Sequence, residues 1–551
     1  MDARALQSGF GGVSATLSTF VRAGVLAPLR PDRYLKMVAA ARGGGSVTLG
    51  FAIAAARCPD RPGLIDELGA LTWKQLDERA SALAAGLQAL PGALRTVGIL
   101  CRNHRGFVTS LIAADRIGAD VLLLNTSFAG PALAEVLVRE FADGSCVVIH
   151  DDEFTGIVDR ALADRPTTTR VVAWTETGSA ADGLTVESLI AANPGGRARP
   201  SDRRSKVVLL TSGTTGTPKG ARSTSGGGAA ELKGILDRIP WRAEEVTVIA
   251  APMFHAWGYS QLIFAAFMAT TIVTSRRFDP EAALELVDRH GATGLVVVPV
   301  MLDRIMDLPA EVRRRHPCRS LRFVTASGSR MRPDVVTTFM DEFGDVIYNN
   351  YNATEAGMIA TATPADLRAA PDTAGRPAAG TEIRILDGDH RPVPVGGTGR
   401  IFVRSGTLFD GYTEGSPGAA RAFHDGFMSS GDMGYLDGAG RLFVVGRDDE
   451  MIVSGGENVY PVEVEKTLAG HPHVAEASVV GVDDEQYGQR LVAFVVLAPG
   501  ATATADDLRA FVRDSLANYK VPREIRVLDE LPRNATGKIL RADLRAQAES
   551  T

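Results

Sequence analysis

Apolar positions in the first half of the chain follow two rhythms. Leu76, Ala80, Leu83, Leu87 and Leu90 recur near helical spacing and predict a helix over 70–90. VGILC (97–101), DVLLL (120–124), SCVVI (145–149) and RVVAW (170–174) are short, continuous apolar runs. Runs of that kind are the mark of strands buried on both faces. The stretch 193–205, NPGGRARPSDRRS, is polar and rich in Pro, Gly and Arg, and reads as a surface loop. The alternation then resumes with KVVLL (206–210), VTVIA (246–250), TIVTS (271–275), GLVVVPV (294–300) and LRFVTAS (321–327). Within it, FDPEAALELVDRHG (278–291) predicts a well-bounded helix: Asp279 as cap, Pro280 in the first turn, Gly291 just past the end. Buried strands alternating with amphipathic helices predict a layered α/β domain.

Beyond about residue 375 the texture changes. TEIRILD, GRIFVRS and RLFVVGR are short alternating strands between Gly-rich turns, predicting a small β-rich subdomain. After about 450 the pattern is compact α+β, with helices at 461–469 and 504–516 and strands at 477–482, 491–497 and near 524–528. No internal repeat is evident.

Composition narrows the classes. The 551 residues leave ample chain for a core, and 45% hydrophobic with 23% charged residues excludes wholesale disorder. Lys plus Arg is 59 against 65 Asp plus Glu, a net charge of −6, so no global basic field favours nucleic acid. Cys58, Cys101, Cys146 and Cys318 are far apart, which supports neither a disulfide framework nor a thiolate metal site and suits a reducing cytosol. No signal peptide or spanning helix is predicted. Residues 15–42 carry Arg22, Arg30, Arg33, Lys36 and Arg42 against one acid, Asp32. This arm reads first as a helical segment packed on the body, interrupted at Pro28 and Pro31. The alternative is a basic interfacial segment making weak peripheral contact with an anionic membrane.

The strongest chemical signal is VVLLTSGTTGTPKGA (207–221), an apolar strand running into a loop of Gly, Thr and Ser that ends on Lys219. Glycines let backbone N–H groups approach phosphate oxygens, and hydroxyls plus one ammonium add donors. The spacing does not fit a Walker A loop. Further on stand TASGSRM (325–331), YNNYNATEAG (348–357), SSGDMGYLD (429–437), GRDDEMIVSGGENVYPVEVE (446–465) and LPRNATGKILRADL (531–544).

Together these motifs resemble, in order, those of the adenylate-forming superfamily: acyl-CoA synthetases, peptide-synthetase adenylation domains and luciferases. The resemblance spans about residues 47–545. It implies an α/β fold with a large multi-subdomain adenylation domain and a small, mobile α+β cap. The implied division is an N-terminal arm at 1–46, the AMP-binding domain at 47–448 and the cap at 449–551. It implies that Thr211, Ser212, Gly213, Thr214, Thr215, Gly216 and Lys219 hold ATP phosphates. Ala326, Ser327, Gly328, Asn350, Tyr351 and Asn352 would line the adenine pocket. Thr354 would donate to a phosphate, and Glu355 would bind Mg²⁺. Asp432 and Arg447 would contact the ribose. Asp449 would be the hinge, with Asp448 and Glu450 as solvated charges. Ser454, Gly455 and Gly456 would help form the channel for the CoA thiol, and Lys538 would be the catalytic ammonium. His255, in APMFHAWGY (251–259), would orient the acyl carboxylate or gate the thiol.

Two departures stand out. Asn352 occupies a position where Gly is usual, and is expected to take a left-handed backbone in its place. Arg400 replaces a usual Glu. The implied activity is ATP-dependent ligation of a carboxylic acid to CoA through an acyl-adenylate. The segment Trp257–Thr274 is expected to wall the acyl tunnel, with small Gly258, Ala265, Ala266 and Ala269 and no charge to bind a second polar group. A fatty acid is therefore the first expectation. Alternatives are an aryl or small-acid CoA ligase, a fatty acyl-AMP ligase serving a carrier protein, and a non-catalytic lipid-binding relative.

Overall fold

The computed structural model describes residues 16–27, 31–43, 47–128, 130–141, 145–176, 183–199, 201–211, 219–223, 229–353, 356–405, 411–412, 423–454, 457–484, 487–534 and 537–550. The chain divides into two compact units. One holds Met1–Pro371, Ala378–Gly380 and Ser405–Ala419; the other holds Asp372–Pro377, Thr381–Arg404 and Ala420–Thr551.

The first unit contains two sheets. In one, Gly357–Ala362, Ile347–Ala353, Phe323–Ala326, Gly294–Val297, Val246–Ile249, Thr271–Val273, Pro62–Asp66 and Gly69–Thr72 lie side by side in that order. Its central strands, Ile347–Ala353 through Pro62–Asp66, pair in parallel. The other is seven-stranded, in the order Gly411–Tyr412, Lys219–Ser223, Val207–Thr211, Asp120–Leu123, Leu94–Leu100, Ser145–Asp151 and Thr169–Trp174. The continuous apolar runs fall where strands buried on both faces must: Val121, Leu122, Val147, Val148, Leu295 and Val296 are fully buried.

The helix expected at 278–291 forms as Pro280–His290. Asp279 accepts a hydrogen bond from Ala282 N, and Gly291 closes the end at φ 57°. The strand expected over 294–300 stops at Val297, because Pro299 opens a new helix, Pro299–Met306. All four cysteines are free and buried. Among the described residues, no helix is long and apolar enough to cross a membrane.

The second unit has two antiparallel-rich sheets. Glu382–Leu386, Gly399–Arg404, Phe427–Leu436 and Phe423–His424 run in order, with Leu442–Arg447 also paired to Phe427–Leu436. The last hundred residues fold as expected into α+β. Val474–Asp484 and Gly488–Leu497 pair antiparallel, Glu524–Val527 joins in parallel, and helices Pro461–Ala469 and Ala505–Ser515 flank them. Leu468, Val479, Leu508 and Val512 form the core between helices and sheet.

Candidate active site

In the first unit, site residues gather at the carboxyl ends of parallel strands, where open α/β sheets offer a crevice. Ala326 ends Phe323–Ala326, and Ser327 and Gly328 follow it, Gly328 at φ +107°. The next strand, Ile347–Ala353, carries Asn350, Tyr351 and Asn352.

Asn350 is buried, and its side chain is engaged by protein. Nδ2 donates to Thr325 Oγ1 at 2.7 Å, and Oδ1 accepts from Thr361 Oγ1 at 3.0 Å. It staples three strands together, so a nucleotide would meet its backbone rather than its amide.

Asn352 corrects an expectation. It lies within a strand, beside a register shift, and not in a left-handed turn. Its Nδ2 donates to Ser327 Oγ at 3.2 Å, while its buried Oδ1 has no hydrogen-bond partner. The side chain therefore ties the segment after Phe323–Ala326 to the strand Ile347–Ala353 and leaves one acceptor unmet.

His255 precedes helix Ala256–Phe267 and is half-buried. Small residues of this helix, within the segment expected to wall an acyl tunnel, are closely packed. A Cβ on Gly258 would fall 2.1 Å from the Pro252 carbonyl oxygen. At the far end, Gly50 brings its own helix against Phe267, where a Cβ would lie 2.8 Å from the Phe267 backbone nitrogen. Trp257 Nε1 donates to Val297 O at 2.9 Å, and Ala265 and Ala266 are fully buried. Small residues here allow close packing. Gly258→Ala is accordingly expected to cost about 1–3 kcal/mol of stability, because the contact is with backbone that cannot swing away. A thermal unfolding midpoint equal to the parent's would contradict this.

Of the loop expected to hold phosphates, only the flanks fall within the described residues. Val207–Thr211 and Lys219–Ser223 pair antiparallel, with Thr211 opposite Lys219. Ser212, Gly213, Thr214, Thr215 and Gly216 lie outside the described residues, as do Thr354, Glu355, Gly455, Gly456 and the side chains of Thr211, Lys219 and Asp449.

In the second unit three expected residues converge. Asp432 and Arg447 stand directly opposite each other on paired strands, with Arg447 Nη1 3.9 Å from Asp432 Oδ1. Ser430 Oγ accepts from Asp432 N at 3.2 Å and steadies the bulged strand. Lys538 sits at the end of a tight loop. Asn534 N donates to Lys538 O and Lys538 N donates to Asn534 Oδ1, both at 2.9 Å. Gly537 takes φ +76°, which explains the Gly before the Lys. Burial holds the Lys538 amine below the ordinary lysine value. Glu450 and Asp432 oppose that shift, while Arg447 and Arg541 add to it. The ammonium thus lies within the electrostatic reach of both ribose candidates. Ser454 ends the short strand Ile452–Ser454.

Two acids expected to be solvated are paired. Asp448 Oδ2 lies 3.0 Å from Arg400 Nε, so the Arg that replaces the usual Glu has an acid facing it. Glu450 pairs with Arg541, which also binds Glu465 at 2.7 Å. A three-residue 3₁₀ turn, Asp448–Glu450, carries Asp449 between these anchors.

One buried cluster was not foreseen. Cys101, His104 and Asp151 bring ligand atoms within 4.8 Å of one another. His104 Nε2 bonds Asp151 Oδ1 at 2.7 Å, and its Nδ1 accepts from Gly106 N at 3.0 Å. Burial and Asp151 push the Cys101 thiol up. With both ring nitrogens engaged inside the core, this is a helix cap and not a metal centre.

The residues expected to line the adenine pocket thus stand at the ends of neighbouring strands in the first unit, and those expected at the ribose lie near Lys538 in the second. The AMP-binding enzyme model matches residues 51–413, and that of the AMP-binding enzyme C-terminal domain matches 463–538; the chain belongs to this family. It has the α/β fold of that family, with a large AMP-binding domain and a small C-terminal one. The indoleacetate–CoA ligase of Aromatoleum aromaticum is 33% identical over 484 residues, covering 86% of this chain and 92% of that protein. The fatty acid–[acyl-carrier-protein] ligase ScoC of Streptomyces coeruleorubidus is 30% identical over 501 residues, 88% of this chain and 93% of the relative. Among solved structures, o-succinylbenzoate CoA synthetase from Bacillus subtilis, in complex with its acyl-adenylate intermediate, matches with a TM-score of 0.74 and 26% identity, covering 90% of this chain and 97% of that one.

Proposed function

We propose that the protein is an ATP-dependent acid–CoA ligase that works through an acyl-adenylate. The observation that carries this reading is the convergence of Lys538 with Arg447 and Asp432 within one compact unit. In the first step the substrate carboxylate attacks the α-phosphorus of ATP, and the bond to the pyrophosphate oxygen breaks. The demand is for positioning and charge neutralisation. Lys538 supplies one positive charge. Asp432 and Arg447 fix the ribose, Lys219 and the loop 211–216 hold phosphates, and Thr354 donates to one of them. Glu355 would hold the Mg²⁺ that neutralises part of the triphosphate charge. In the second step the CoA thiolate attacks the acyl carbonyl and AMP departs. Lys538 must then withdraw, and Asp449 is the pivot on which residues 449–551 turn, with Ser454–Gly456 accompanying the thiol.

The acid we favour is a compact aromatic one. Relatives that act on indoleacetate and o-succinylbenzoate support this. So does the use of Gly258, Ala265 and Ala266 for packing rather than for a long channel. A fatty acid is the second reading, favoured by the fatty-acid ligase relative. The test is a panel of indole-3-acetate, 2-succinylbenzoate, octanoate and palmitate with ATP, Mg²⁺ and either CoA or a carrier protein, reading thioester by mass. Thioester from the aryl acids and CoA is the expected result. Palmitate as the best substrate would overturn the aryl reading, and no acid-dependent pyrophosphate release would overturn ligase activity.

A pH dependence follows from the lowered Lys538 value. Adenylation needs the protonated amine, so a depressed pKa brings the loss of rate to lower pH. The alkaline limb of ATP–pyrophosphate exchange is expected below the 10.5 of an ordinary lysine. Lys538→Arg, if active, should move that limb upward.

A further inference from the structure

The N-terminal arm is docked on one side and apolar on the other. Its inner side is well fastened. Thr19 and Ala23 are buried, Thr19 Oγ1 donates to Asp237 Oδ1 at 2.7 Å, and Ala243 N donates to Ala23 O at 2.8 Å. Buried Arg57 donates to the carbonyls of Val25 and Gly24 at 2.8 and 2.7 Å and pairs with Glu244. In helix Pro31–Gly43, Arg33, Met37 and Ala40 are half-buried, and Arg33 Nη1 donates to Arg57 O at 2.9 Å.

The outer side does not behave like a solvated helix face. Leu17 and Val21, one turn apart in the helical segment 16–22, are 49% and 60% exposed. Leu35 and Val38, one turn apart in Pro31–Gly43, are 73% and 49% exposed. Leu26 and Tyr34 are more than a third exposed as well. Elsewhere in the described chain, exposed large apolar side chains are scattered singly, which needs no explanation. Here they concentrate in about twenty residues, and Arg22 and Lys36 stand among them with side chains 71% and 68% exposed, in loose surface pairs with Asp237 at 3.6 Å and Asp32 at 3.8 Å. By sequence the arm has five basic residues to one acid, in a chain whose net charge is −6.

We propose that this outer face docks on an anionic lipid surface, with Leu17, Val21, Leu35 and Val38 entering the headgroup–acyl boundary and Arg22 and Lys36 beside lipid phosphates. Charge selects this occupant. A symmetric contact with a second copy would set one basic arm against another, which is repulsive. Apolar side chains flanked by Arg and Lys match the chemistry of an interfacial helix, and each basic residue adds attraction to an anionic leaflet. The proposal is independent of which acid the enzyme uses.

The test is flotation of the full-length protein with vesicles of phosphatidylcholine alone or with about a third phosphatidylglycerol. Anionic vesicles are expected to bind roughly tenfold more protein than neutral ones, and about 0.5 M salt should abolish most of that difference. Leu35→Ser with Val38→Ser, and separately Arg22→Ser with Lys36→Ser, should each lower binding about tenfold. Both variants should keep the parent's ATP–pyrophosphate exchange in solution, since none of these residues touches the site; that also verifies their folding. Equal recovery with neutral and anionic vesicles would overturn the proposal, as would apolar variants that float like the parent. A parent dimer that the Leu35/Val38 variant converts to a monomer would overturn it in favour of a second copy.

Discussion

Lys538→Ala is expected to abolish adenylation while leaving thioester formation from supplied acyl-adenylate largely intact. The first half-reaction gathers negative charge around the α-phosphorus, and an aimed cation there is worth about 10²–10³ in rate. In the proposed cycle Lys538 is that cation. Its loop is closed by reciprocal bonds with Asn534, and Arg533 Nη1 donates to the Gly537 carbonyl at 2.6 Å. The backbone at Lys538 is therefore held on both its N–H and its C=O. Burial holds the amine's pKa below the ordinary lysine value, with Arg447 and Arg541 adding to the shift and Glu450 and Asp432 opposing it. The second half-reaction breaks the acyl–phosphate bond and needs no such charge at phosphorus. ATP–pyrophosphate exchange and single-turnover CoA capture measure the two steps separately. Equal loss of both would end this division of labour.

Asp449→Pro is expected to spare pyrophosphate release and slow CoA capture at least about tenfold, the mark of a blocked conformational step. Proline fixes φ near −65° and restricts the residue before it. That restriction matters here because neighbouring residues are anchored: Asp448 to Arg400, and Glu450 to Arg541. Rotation confined between two anchors must pass through the backbone of residue 449. Rapid-quench measurement of each half-reaction checks this, and an unchanged overall rate would remove Asp449 as the pivot.

Much of the fold was legible because local signals agreed. Asp279, Pro280 and Gly291 all favour the same helix bounds, and the buried strands have no polar face to confuse their period. Errors arose where distant partners decide. Glu450 reads as a surface acid until Arg541, 91 residues later, folds beside it. The smallness of Gly258 and Ala266 has its reason in Pro252 and Gly50, which pack against them and which no local pattern reveals. Asn352 reads as a left-handed substitute for Gly, but a strand bulge already absorbs the irregularity. Asp432 and Arg447 are marked in the sequence only by motif order; no periodicity announces that two strands set them face to face.

The anchors on either side of residue 449 differ in their contact with solvent. The Arg400 and Asp448 side chains are 40% and 35% exposed, whereas Arg541 and Glu450 are 23% and 18% exposed. Dissolved ions reach the first pair more readily and weaken it sooner. On the proposed pivot, rising electrolyte is therefore expected to slacken the segment before residue 449 ahead of the segment after it, and to act as a one-sided throttle on the cycle.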